Sequence, residues 1–268
     1  MSNTDESAEA TPDVLTERIG HVLKVTFNRP DRMNSIGGKT ITMLSEIFLK
    51  AEHDYDVRAI LLTGNGRAFC SGLDLKDISS GETDVSGSSK GFKINEHPPF
   101  VMRRMDTPIV CALNGAAAGY GMDLALGCDF VLASDRARFV PPIRRSVLPE
   151  SGGTWLLPRL VGWHKACEIS LLGRILESAD IERLGLANRI IPHDELLDEA
   201  MSWATELAGN PPLAMAATKR TMRQGLDSTF EANTSNVMAE LMQLFQTDDF
   251  RESIVSFMEK RDPKYTGR

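Results

Sequence analysis

Three short runs with almost no polar residue constrain this chain most: Ala59-Ile60-Leu61-Leu62-Thr63, Ile109-Val110-Cys111-Ala112-Leu113 and Phe130-Val131-Leu132-Ala133. The first two are stopped by turn residues, Gly64-Asn65-Gly66 and Asn114-Gly115. A strand without a polar face must be covered on both sides, as in the parallel sheets of α/β proteins. His21 to Phe27 (HVLKVTF) alternates instead and ends at Asn28-Arg29-Pro30, a strand followed by a turn. Lys39 to Ala51 places Ile41, Leu44, Ile47, Phe48 and Ala51 on one helical face. Strands alternating with helices predict an α/β fold with parallel pairing and right-handed crossovers.

After Pro149 the pattern turns helical, with amphipathic runs at Leu196 to Ala208, Pro211 to Gly225 and Phe230 to Met258. Such a C-terminal section is expected to cover a partner subunit or a site. Ser79 to Ser89, rich in Gly and Ser, reads as a mobile loop. The acidic, polar residues 1–14 lack the basic and apolar regions of a signal peptide and read as disordered. Ile109 to Ala133 is only weakly polar, but Asn114, Asp123 and Asp129 interrupt it, so it is not read as a membrane span.

A formal net charge of -7 argues against a nucleic-acid binder, which needs a basic footprint. The four cysteines, Cys70, Cys111, Cys128 and Cys167, have no CxxC spacing and read as reduced core thiols in a cytoplasmic protein. The chain has no GxxxxGK[ST], no GxSxG, and no HExxH or HxH, so no P-loop, serine elbow or metal site is expected. The lone Gly119-Tyr120-Gly121 lacks the third glycine of a dinucleotide fingerprint.

Two glycine-bearing stretches stand out. Ala68-Phe69-Cys70-Ser71-Gly72-Leu73-Asp74 reads as a strand ending in a tight turn, and Gly119-Tyr120-Gly121 as the opening of a helix. Backbone N–H groups are unpaired at both kinds of feature, and two of them converging on one oxygen would make an oxyanion hole. On spacing alone, two ordinary glycine turns account for the same residues.

NRPDRMNSI (28–36), GRAFCSGLDLKD (66–77), NGAAAGYGMDLALGCDFVLASDRARF (114–139), LPESGGTWLLPRLVG (148–162) and LLGRILESADIERLGLANRIIP (171–192) together resemble, in order, the crotonase superfamily of enoyl-CoA hydratases and isomerases. The resemblance implies an α/β fold with a ββα spiral core over 15–205 and a helical oligomerisation and CoA-covering region over 206–268. It implies an acyl-CoA thioester as substrate, with no cofactor beyond the CoA that the substrate carries. A homotrimer or dimer of trimers is implied as well. The backbone N–H groups of Leu73 and Tyr120 fall where the family forms its oxyanion hole; most relatives carry glycine at the latter position. Arg32, Met33 and Lys76 match CoA-binding positions. Phe257 and Lys260 match residues that approach the adenine end from a neighbouring subunit.

Typical hydratases of the family carry two glutamates. Asp123 stands in place of the first; the second falls on Ile143, after Pro141-Pro142, and no carboxylate occurs from Val140 to Pro149. Water addition uses two carboxylates of different pKa, whereas a double-bond shift needs one base. Glu150, at or near a position where some isomerases carry their acid, is the second candidate beside Asp123. Hydration or isomerisation of an enoyl-CoA is therefore expected. A CoA-binding scaffold without hydratase activity, a thioester hydrolase and a C–C lyase remain alternatives.

Overall fold

The apolar runs lie side by side in one sheet. The computed structural model describes residues 11–80 and 96–268. Its strands are β1 (Val14–Ile19), β2 (Val22–Phe27), β3 (Ala59–Gly64), β4 (Ala68–Cys70), β5 (Ile109–Leu113), β6 (Ala116–Ala118), β7 (Phe130–Ser134), β8 (Arg138–Val140), β9 (Leu176–Glu177) and β10 (Arg189–Ile191). The helices are α1 (Gly38–Glu52), α2 (Leu75–Ser80), α3 (Pro98–Arg104), α4 (Tyr120–Leu126), α5 (Gly153–Val161), α6 (Trp163–Leu172), α7 (Ser178–Arg183), α8 (Leu196–Ala208), α9 (Pro212–Gly225), α10 (Phe230–Leu244) and α11 (Asp248–Glu259). None of the described helices is long and apolar enough to cross a membrane.

The larger sheet runs β1-β2-β3-β5-β7-β10 and the smaller β4-β6-β8-β9. Among the described residues β1 with β2, and β8 with β9, pair antiparallel, and the other strand pairings are parallel. From β3 the chain crosses to β4 and then α2; from β5 to β6 and then α4; from β7 to β8 and then a helical turn. Ile36 makes a single parallel bridge to Leu73, so β2, Ile36 and α1 repeat the same pattern earlier. This is the expected ββα spiral.

Period-two alternation explains the apolar runs. Ile60, Leu62, Cys111, Leu113 and Ala133 face the main core, while Ala59, Leu61, Val110, Ala112 and Leu132 face the other way. The second face is covered by Leu196, Ala200, Ala204 and Ala208 of α8, spaced one turn apart. Their small side chains let the helix lie close against the strands. Fully burying a residue such as Leu61 stabilises the fold by about 2 kcal/mol.

Two expectations need correction. Val14 belongs to β1 rather than to a disordered N-terminus: it pairs with Phe27 and is buried in the core. The run from Phe230 to Met258 is two helices, because the Thr247 hydroxyl accepts from the Phe250 N–H at 3.1 Å and caps a new helix start. The loop read over Ser79 to Ser89 lies outside the described residues beyond Ser80, and Ser79 and Ser80 close α2.

The C-terminal helices attach through ion pairs. Lys219 Nζ reaches Asp129 Oδ2 at 2.7 Å, and Arg223 donates to the Met105 carbonyl at 2.8 Å. Arg220 bridges Asp106 and both carboxylate oxygens of Glu240.

Candidate functional site

The smaller sheet brings the two glycine-bearing turns together. Gly72 has φ +87, and a Cβ there would stand 2.7 Å from the Ala118 carbonyl and 3.5 Å from the Tyr120 nitrogen. Any side chain would therefore wedge apart the Leu73 turn and the start of α4. Among the described residues neither the Leu73 N–H nor the Tyr120 N–H has an acceptor. For Tyr120 this follows from its place as the first residue of α4. For Leu73, the bridge to Ile36 uses the neighbouring groups: Ile36 donates to Gly72 and Asp74 donates to Ile36.

Asp123 lies one turn along α4 and is only 2% exposed. Its Oδ2 accepts from the Ser151 N–H at 2.9 Å, and the Gly153 N–H also donates to the carboxylate. A Cβ at Gly153 would collide with Oδ1. Because Gly153 begins α5, Asp123 satisfies backbone donors that this helix leaves open. Burial nevertheless outweighs those hydrogen bonds, and the charge of Glu150 adds to it, so the carboxyl is pushed up to about 7. Glu150 is exposed by surface area but lines the same cavity, and its partial withdrawal from water raises its carboxyl too.

The cavity is about 410 Å³ in volume. Asp123 and Glu150 supply carboxylates, and Phe100, Met102, Trp155 and Leu156 supply apolar walls. Arg103 and Asp227 are further polar wall residues. The sequence reading did not single out Arg103, Trp155 or Asp227, which come from α3, α5 and the turn after α9. The available signal was Trp155 one helical turn before Arg159, a spacing that stacks a guanidinium on a ring.

Tyr120 is buried, and among the described residues its hydroxyl has no hydrogen-bond partner. Burial above all holds its phenol well above the ordinary value, and the nearby carboxylates of Glu150 and Asp123 add to it. Burial also pushes the Cys70 thiol up to about 12, against a hydrogen bond from the Gly72 backbone. Cys70 is thus a neutral core thiol, and all four cysteines are free.

Arg32, Met33 and Lys76 gather around the Leu73 turn. The Ser71 N–H donates to the Met33 carbonyl at 3.0 Å, and the Lys76 N–H donates to Asp74 Oδ1 at 3.1 Å. Arg32 sits 3.3 Å from Asp74 Oδ2, which also takes hydrogen bonds from Ser35 Oγ at 2.7 Å and Arg29 at 3.1 Å. Burial would raise the Asp74 carboxyl. The hydrogen bonds from Ser35, Lys76 and Asp77 and the charge of Arg29 outweigh it, leaving the carboxyl below its usual range. Phe257, 85% exposed, and Lys260 stand at the end of α11 and do not line the cavity. Ile143, where a glutamate was looked for, also lies outside the cavity walls: it is half-buried, against Gly173.

The family model for enoyl-CoA hydratase/isomerase matches residues 17–268. The chain is 35% identical to the 1,2-epoxyphenylacetyl-CoA isomerase of Escherichia coli K12, over 92% of this chain and 95% of that one. It is 33% identical to the carnitinyl-CoA dehydratase of Proteus mirabilis, over 95% and 98%. The crystal structure of an enoyl-CoA hydratase from Mycobacterium tuberculosis H37Rv is similar with a TM-score of 0.87 and 30% identity, over 96% of this chain and all of that one. With five motifs in order and the fold and family model in agreement over nearly its whole length, the chain belongs to the enoyl-CoA hydratase/isomerase family of the crotonase superfamily.

Proposed function

We propose that the protein shifts the double bond of an enoyl-CoA, with Asp123 and Glu150 as its proton carriers. The observation that carries this reading is Asp123 itself, a buried carboxyl raised to about 7 in the wall of an apolar cavity. A carboxyl near neutrality both takes and returns a proton efficiently at working pH. The thioester carbonyl rests between the Leu73 and Tyr120 amides. As negative charge develops on its oxygen, two donors already aimed at it stabilise the enolate by about 3 kcal/mol each. Asp123 then takes the proton from one carbon and it is returned to another, with Glu150 sharing the transfer. Arg32, Met33 and Lys76 receive the CoA moiety at the Leu73 turn, and no other cofactor is required.

Hydration is the second reading. It is favoured by the presence of two carboxylates of unequal exposure in one cavity. A homotrimer, or a dimer of trimers, is supported by the apolar residues exposed on α10 and beyond, among them Phe230, Met238, Met242 and Phe245. Phe257 and Lys260 would then serve the CoA of a neighbouring subunit, in the reducing cytoplasm that suits free thiols.

The deciding experiment offers 2-enoyl-CoA and 3-enoyl-CoA to the wild type, Asp123→Asn and Glu150→Gln. Isomerisation by the wild type with little hydration, lost in Asp123→Asn, supports the proposal. Fast hydration surviving both substitutions overturns the acid/base assignment. Tight CoA binding with no turnover of any acyl-CoA identifies a scaffold instead.

A further inference from the structure

One wall of the cavity carries a charge that proton transfer does not use. Arg103, from α3, lies 4.7 Å from the centroid of the Trp155 ring, and Arg159 covers the same ring at 3.8 Å. Asp227 approaches both, at 3.9 Å from Arg103 and 3.7 Å from Arg159. Two guanidinium groups thus share one carboxylate, leaving an excess of one positive charge. Arg159 also donates to the Trp155 carbonyl at 3.1 Å, but among the described residues Arg103 has no acceptor at hydrogen-bond distance.

Arg103 is 37% exposed and lines the cavity with Asp227. Partial burial, then the charges of Arg223 and Arg159, disfavours its protonated form, and Asp227 opposes this. Among the described residues Arg103 forms its ion pair with Asp227 and none with Asp123 or Glu150, so the guanidinium is not spent on the proton carriers. Phe100, Met102 and Leu156 line the same cavity and suit a hydrocarbon stem. Two guanidinium groups already stack on Trp155, which disfavours aromatic stacking there. A half-buried fork of donors beside an apolar cavity selects a planar anion, and a carboxylate matches it with two parallel hydrogen bonds.

We propose that the acyl group accepted here ends in a carboxylate held by Arg103, making the substrate a CoA monothioester of a dicarboxylic acid. This rests on the acyl-CoA reading above. Asp227 fixes the guanidinium when the cavity is empty and competes with the ligand for it.

The test is calorimetric binding of saturated thioester pairs: hexanoyl-CoA against adipoyl-CoA, and octanoyl-CoA against suberoyl-CoA. In at least one pair the wild type should favour the carboxylate by ten-fold or more, or ~1.4 kcal/mol. Arg103→Met should bring that ratio to about one, Arg103→Lys should keep part of it, and Asp227→Asn should raise it. Thermal transitions of the variants, taken alongside, confirm that they are folded. Equal binding within both pairs overturns the proposal, as does a ratio that Arg103→Met leaves unchanged. Equal weakening of both members by Arg103→Met means that Arg103 serves the CoA moiety, which also overturns it. If the neutral thioesters bind and the carboxylates bind no better, this inference alone fails. If no thioester and no free CoA binds the wild type, the acyl-CoA reading fails first.

Discussion

Replacing Asp123 with asparagine should remove activity and, at alkaline pH, make the protein more stable. The folded chain holds the Asp123 proton up to a pH of about 7, whereas the ordinary value is 3.8. Its contribution to stability is therefore fully present below about 3.8, falls as pH rises, and is gone above about 7. The difference between those values corresponds to about 4 kcal/mol, an order-of-magnitude figure for the strain of holding the buried carboxylate ionised. Asparagine keeps the shape without the charge. It presents an NH2 group to one of the two amide donors, Ser151 or Gly153, which costs about 1–2 kcal/mol. A net gain of about 2–3 kcal/mol should remain at ~pH 8.5, or roughly 5–10 °C in Tm. Near pH 4, where the wild-type group is largely protonated, the gain should vanish. The assay is denaturant unfolding of both proteins from pH 4 to pH 9 at one fixed protein concentration, since assembly also stabilises. Parallel stability curves for the two proteins across that range would refute the reasoning, because they would mean that folding does not perturb Asp123. Turnover of the variant within ten-fold of wild type would refute its role as proton carrier, whose removal should cost about 10²–10⁴-fold.

The same carboxyl should be visible in the kinetics: kcat/KM rises with pH through about 7 in the wild type, and that limb is absent in Asp123→Asn. In Glu150→Gln the limb should move to lower pH, because the charge of Glu150 helps to raise Asp123; an unmoved limb would separate the two groups. Gly153→Ala should drive a methyl into Asp123 Oδ1 and lower kcat far more than it raises KM, as steady-state assays would read. Arg220→Met should cost about 2 kcal/mol in denaturant unfolding, since Glu240 loses its guanidinium partner and Asp106 keeps only that of Arg223. Met242→Glu should lower the assembled mass in sedimentation if the exposed face of α10 is the subunit contact.

Much of the fold was legible because its strands are covered on both faces. Such runs contain almost nothing polar, and Ile109–Leu113 coincides with β5 residue for residue. Thr247 was harder to read as a boundary, since the apolar spacing carries on from Met242 and Phe245 into Phe250 and Ile254. A side-chain cap of three residues' reach breaks a helix without disturbing that rhythm. Asp123 was legible as a carboxylate in an apolar segment, but its partners, the Ser151 and Gly153 amides, were not. Backbone donors at a helix start carry no residue code. Arg103, Trp155 and Asp227 were hidden for another reason: each is an ordinary amphipathic or turn residue in its own element, and only the packing of α3, α5 and the end of α9 brings them to one cavity.

The order of the larger sheet has a consequence for how the chain is made. From β1 through β2, β3, β5 and β7 to β10, each strand lies beside the one that precedes it in that sheet. A chain leaving the ribosome can therefore add strands to one growing edge, without threading any strand between earlier ones. The β7 edge must wait until residues 189–191 arrive, and α8, which covers the outer face, follows only then. During that interval an apolar edge and an apolar face stand open together. Slowing synthesis just after β7 should therefore promote aggregation more than slowing it after α8, a window fixed by topology rather than by any one residue.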